Sequence, residues 1–228
     1  MKTCPETGME TPGAAVLLFG DARPPGPGLA GLPTHRADGP AGIDVLVGPY
    51  QRLVVVGADA DLAAVLTRLL RVDRLDVEVG YAPPKRTAAT RVYRLPAGRR
   101  AAWRARRGIA HRVPLIRDEN GSVIVGRARW QPTGDRHLIH GEAVVDDTPL
   151  FDGDVAEVRI EPTLTLPGLR ASARSRVGAG RTWRRWVGGR AAQLGTTGAA
   201  VVRDGVPAPR AVRRSTFYRN VEGWLLVR

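Results

Sequence analysis

The chain has 228 residues, 43% hydrophobic and 25% charged, with a formal net charge of +13. No apolar run approaches the ~18 residues a membrane-spanning helix needs, so an integral helical membrane protein is excluded and two small soluble domains fit the length. Cys4 is the single cysteine, which rules out an internal disulfide framework and agrees with a reducing compartment.

The start, Met1 to Glu6, lacks the charged and apolar regions of a secretory signal, and a cytoplasmic location is expected. Residues 1–12 show no periodicity and read as loose. Ala14 to Phe19 is a first apolar strand, followed by the breaker run Arg23-Pro24-Pro25-Gly26-Pro27-Gly28. Ile43 to Val47 reads as a second strand. Leu53 to Val56 is a continuous apolar run, the pattern of a strand buried on both faces. It leads through Gly57-Ala58-Asp59-Ala60-Asp61 into Leu62, Val65, Leu66, Leu69 and Leu70, which share one face of a helix with Asp61 placed as N-cap.

Leu75 to Tyr81 alternates as a fourth strand, and a helix from about Ala97 to Arg107 ends at Gly108 as a C′ residue. The cluster Arg99, Arg100, Arg104, Arg106 and Arg107 reads as a solvated face, because few aromatics interleave as single-strand binding would require, so nucleic acid is not the expected partner. From His111 the period changes to two. Asp118-Glu119-Asn120-Gly121 signals a hairpin, and strands follow at Leu138 to Val145, Val155 to Glu161, near Ala171, Ala191 to Leu194, Ala199 to Val202 and Trp224 to Val227. The expected architecture is α/β plus β: a small parallel α/β domain over residues 13–107 and a β-sandwich-like, β-rich domain over 108–228.

Val54 to Leu70 resembles the glycine-rich loop of the diacylglycerol kinases and related lipid and NAD kinases, whose strand, Gly-Gly-Asp-Gly-Thr turn and helix bind nucleotide phosphates. The resemblance implies an ATP- and Mg²⁺-dependent transfer of phosphate to a lipid hydroxyl. Gly57, Ala58, Asp59, Ala60 and Asp61 would form the phosphate loop. Lys85 and Arg86 lie where the family carries a second phosphate-framing segment. Asp204, in Asp204-Gly205-Val206, matches the carboxylate that activates the acceptor. Four residues depart from that pattern, Ala58 replacing the second glycine. A β-carbon at Ala60 narrows access to positive φ, a carboxylate at Asp61 repels an incoming anion, and Val206 stands where the family has Glu. The alternative is a non-catalytic relative that binds a nucleotide, an anionic lipid surface or a protein partner.

Residues 168–228 hold 13 arginines against Asp204 and Glu222, which suggests a surface for phosphates, whether of nucleotide, acidic lipid headgroups in peripheral contact or nucleic acid, or else a solvated arginine face. Trp183, Trp186, Phe217, Tyr218 and Trp224 lie among those arginines as a candidate membrane-interface or nucleic-acid patch, with Trp224 expected as a core anchor. His137 and His140 fall on opposite strand faces, His140 and Glu142 on one. Asp146, Asp147, Asp152 and Asp154 could hold a cation near a turn, though turn chemistry explains them equally. No Walker loop or Ser-His-Asp set is present, and self-association is left open.

Overall fold

The computed structural model describes residues 13–24, 26–177 and 180–228; Cys4 and the segment 1–12 lie outside them. The elements of the first half are β1 (Ala14–Phe19), β2 (Thr34–Ala37), α1 (Pro40–Asp44), β3 (Arg52–Val56), α2 (Asp59–Arg71), β4 (Glu78–Tyr81), α3 (Ala88–Val92), α4 (Arg99–Arg107) and β5 (Ala110–Val113). Then come β6 (Ile116–Asp118), β7 (Val123–Ile124), β8 (Ala128–Gln131), β9 (Ile139–Val145), β10 (Thr148–Val155), β11 (Glu157–Pro162) and β12 (Leu169–Val177). The last are β13 (Gly180–Trp183), β14 (Val187–Gly189), β15 (Ala191–Arg203), β16 (Val206–Pro207), β17 (Val212–Arg219) and β18 (Trp224–Val227).

The first sheet has the order β2-β1-β3-β4-β18-β5 and is parallel except for β5. Both faces are covered, as the apolar run of β3 requires. Leu53 and Val55 join Ala15 and Leu17 against Leu62, Val65, Leu66 and Leu69 of α2. Val54 and Val56 join Val16 and Leu18 against Ala101, Ala102 and Ala105 of α4. Burying each Leu or Val here contributes about 1.5–3 kcal/mol. The alanines of α4 permit close approach: a Cβ on Gly80 of β4 would lie 2.8 Å from Ala105 Cβ.

The strand expected at Ile43 to Val47 is helix and turn. Ile43 and Leu46 are buried three residues apart, a helical spacing, and the second strand is instead Thr34–Ala37. β2 sits at the edge of the sheet, so its Thr-His-Arg-Ala sequence carries no apolar signal. The helix expected to stop at a left-handed Gly108 stops there with φ −66.

The second sheet is antiparallel and organised by β15. One edge of β15 pairs with β17. On the other edge, Ala192–Thr196 pair with β9 and Ala200–Arg203 pair with β8. The two layers therefore diverge along one strand and enclose Trp130, Ile139, Phe151, Val158, Ile160 and Phe217. The expected segments Ala191 to Leu194 and Ala199 to Val202 are parts of this single strand, with an irregularity between Gly195 and Ala199. The Asp118–Gly121 hairpin forms as expected: Asp118, fully buried, accepts the Asn120 and Ser122 amides at 2.9 and 2.8 Å and pairs with Arg203 at 2.6 Å.

Two segments from beyond residue 108 complete the first sheet, β5 and β18. The β6–β7 hairpin also packs on α2, where the Val123 amide donates to Thr67 Oγ1 at 2.9 Å. These connections bring the turn after β15 to the carboxyl ends of β3 and β4.

Candidate phosphate-binding site

Ala58, extended at φ −85, is the N-cap of α2, and Asp61 is the third residue inside the helix. The N-cap expected at Asp61 thus lies three residues earlier, and the reason is on the same side chain. Asp61 Oδ2 accepts the Ala58 amide at 2.7 Å, the reach-back half of a capping box. A Cβ at Gly57 would strike that same carboxylate, so Asp61 fills the space over the loop where the helix amino terminus would receive an anion.

Asp59 opens the helix. Its Oδ1 accepts the Tyr81 hydroxyl at 3.0 Å and its Oδ2 accepts the Ala89 amide at 3.1 Å, which ties the loop to β4 and α3. Burial, then the charge of Asp59, raises the Tyr81 phenol above its ordinary range. Thr87 caps α3 and exchanges hydrogen bonds with Thr90: the Thr90 amide donates to Thr87 Oγ1 at 3.1 Å and the Thr87 amide to Thr90 Oγ1 at 2.8 Å.

Asp204 and Gly205 form the β15–β16 turn with φ 47 and 92, the left-handed pair a tight hairpin favours. From that turn Asp204 reaches the segment before β8. Its Oδ1 accepts the Gly126 and Arg127 amides at 2.8 Å each, and Oδ2 accepts the Val125 amide at 2.9 Å. Burial pushes its carboxyl up to about 6; the three amides oppose that shift and the charge of Asp59 adds to it. A Cβ on Gly126 would lie 2.7 Å from Asp59 Oδ2 and 3.0 Å from Asp204 Oδ1. The two carboxylates therefore face one small space between the domains, and only glycine leaves it open.

Beside this pair opens a cleft of about 580 Å³, touching Ala88 and Arg127 and lined by Arg91, Arg94, Arg159 and Arg170, with Glu161 and Trp186. Glu161 is nearly buried and pairs with Arg170 at 2.7 Å and Arg127 at 3.7 Å. Arg159 makes no ion pair among the described residues. Its guanidinium stacks 4.3 Å from the Trp183 ring, and burial followed by the like charge of Arg127 depresses its basicity. A second cleft, about 830 Å³, lies on the other side of α3. Arg86, Arg91, Arg94, Arg99, Arg100 and Arg104 line it with Trp103, and among the described residues no carboxylate lines it.

No family model and no curated protein sequence matches the chain. Solved structures do. A diacylglycerol kinase from Bacillus anthracis str. Sterne superposes with a TM-score of 0.69 at 11% identity, covering 95% of this chain and 96% of that one. An NAD kinase from Archaeoglobus fulgidus in complex with ATP gives 0.61 at 11% identity, covering 94% and 93%. Yeast NADH kinase complexed with NADH gives 0.54 at 8% identity, covering 96% and 84%. The fold is that of the diacylglycerol and NAD kinases.

Within this kinase fold the residues singled out in the sequence separate. Asp59 and Asp204 converge, with Gly126 between them. Arg86 lines the second cleft, whereas Lys85 is exposed and lines neither. Gly57 and Ala58 lead into α2, whose first turn holds Ala60, and Asp61 closes over them. The candidate aromatic patch divides: Phe217 and Trp224 are core, Tyr218 lies 4.5 Å under Arg117, and Trp183 and Trp186 lie under Arg159 and Arg170. His140 bonds Asp154 at 3.0 Å, and Asp146 accepts the Arg190 and Ala191 amides, so these groups serve turns and strand ends. Arg170 belongs to the basic segment 168–228, whereas Arg127 and Arg159 went unnoticed in the sequence; their alternation with apolar residues just before β8 and along β11 was the available signal.

A Mg²⁺ ion between Asp59 and Asp204 does not fit this donor set. Asp204 Oδ1 already accepts two amides and so has no lone pair left for a metal, the other three oxygens each accept one N–H or O–H donor and keep only one site, and the charges lining the adjoining cleft are mostly positive, which does not favour a divalent cation. Among the described residues no three His, Cys, Asp or Glu side chains converge, and no helix is long and apolar enough to cross a membrane.

Proposed function

We propose that this protein is a non-catalytic relative within the kinase fold, holding a phosphorylated small ligand, a nucleotide foremost, in the arginine-lined cleft between its domains. One observation carries the reading: the Asp61 carboxylate sits on the Ala58 amide, in the position a phosphate would take at the start of α2. The phosphate loop is thereby occupied by its own side chain. The positive charge has moved to Arg91, Arg94, Arg127, Arg159 and Arg170. Arg159, lacking an anionic partner among the described residues, is the side chain a bound phosphate would relieve most.

Phosphoryl transfer with Asp204 as general base is the second reading. What favours it is a carboxyl pushed to about 6, close to neutral pH. Against it, three backbone amides hold both Asp204 oxygens.

Calorimetric titration with ATP, with and without Mg²⁺, separates the two when paired with an assay of phosphate transfer to a panel of lipids. Binding should persist without Mg²⁺, weaken about tenfold or more in Arg159→Ala, and lead to no transfer. Transfer that Asp204→Ala abolishes would establish the kinase instead.

A further inference from the structure

The two clefts are not separate. Arg91 and Arg94 line both, so the wall between them is α3 and the residues just after it, and a single basic track runs over that wall from β11 and β12 to α4. Aromatic rings stand along it. Trp186 lies in the first cleft, its ring 4.4 Å from the Arg170 guanidinium. Trp103 lies in the second and is 53% exposed. None of the arginines of the second cleft makes an ion pair among the described residues.

We propose that this track binds a short single strand of nucleic acid, its phosphates on the arginines and its bases against Trp186 and Trp103. The proposal rests on the reading of the first cleft as a phosphate site and extends it to a phosphodiester chain. The physical reason is the combination of concavity, charge and aromatic faces: bases stack on indole rings without regard to sequence while the arginines follow the backbone. Acidic membranes supply charge, but a planar surface does not enter two clefts either side of a helix. Duplex DNA keeps its bases stacked inside and presents no free base face to Trp103. The sequence argued against nucleic acid because few aromatics stand near the arginines of α4. The fold adds to Trp103 of α4 a second indole, Trp186, from some eighty positions away.

The test is fluorescence anisotropy with labelled oligothymidylates of one, two, four and eight nucleotides, alongside duplex DNA and acidic vesicles at matched salt, and ATP by calorimetry. Affinity should rise at least tenfold from the mononucleotide to the tetramer and then level off, since the two clefts together suit about four nucleotides, the lower end of single-strand site sizes. Log affinity should fall with log salt by about 0.7 per phosphate contacted. Trp103→Ala, and separately the pair Arg100→Ala with Arg104→Ala, should weaken the tetramer about tenfold and leave ATP unchanged. These residues are exposed, so circular dichroism should show the native fold. Affinity independent of length, or duplex or vesicles retained as tightly as the tetramer, would overturn the proposal. With ATP still bound, such a result leaves the small-ligand reading standing; with ATP unbound as well, both readings fall. Tetramer bound without ATP would support the strand and reject the nucleotide.

Discussion

Asp204 is an acid held in its less comfortable state. Burial raises its carboxyl from 3.8 to about 6 on folding, so between those values the folded chain binds more protons than the unfolded chain. Stability must then fall as pH rises through this window, by at most ~3 kcal/mol for a shift of about two units. Urea unfolding at pH 4 and pH 7 should show this decline in the wild type and lose it in Asp204→Asn, whose side chain stays neutral throughout. The comparison between the two proteins is needed because salt-bridged acids such as Asp76, whose carboxyl Arg74 holds low, slope the other way.

At the scale of elements, the junction between the domains depends on Gly126, in the segment between β7 and β8. Asp59 from the first domain and Asp204 from the second each reach to within about one contact distance of its absent side chain. Gly126→Ala should force either α3 or one carboxylate away, because Ala88 Cβ lies 2.8 Å from the same point. Overpacking of this kind costs about 1–3 kcal/mol. Chemical denaturation should find that loss, whereas Gly121→Asn, in an open hairpin turn with φ 78, should cost much less.

The whole molecule is closed by its last strand. β18 lies between β4 and β5, and its Trp224, buried to 1% exposure, packs edge-on against Tyr93 at 5.3 Å. Truncating this side chain removes packing that joins α3 to the first sheet. Trp224→Ala should lower stability by about 3–5 kcal/mol, measured by urea unfolding. Trp103→Ala, on the surface, should stay within about 0.5 kcal/mol of wild type.

The elements readable in sequence were those whose neighbours in space are also neighbours in the chain, or whose burial is complete. β1, β3 and α2 declare themselves through unbroken apolar runs and a helical repeat, and the Asp118–Gly121 and Asp204–Gly205 turns through local backbone preference. The Gly57–Asp61 element pointed to the kinase fold by the same local logic. β2 and β10 escaped notice because an edge position or a solvated face removes the apolar signal. Above all, sequence could name Asp59, Asp204 and the arginines but could not say which of them meet. Asp61 closes the loop by a local contact, three residues from Ala58, but that Gly126 separates two carboxylates and that Arg91 and Arg94 join two clefts are facts of long-range pairing. They follow from β15 serving two layers and from β5 and β18 returning to the first sheet, and no short-range periodicity encodes such returns.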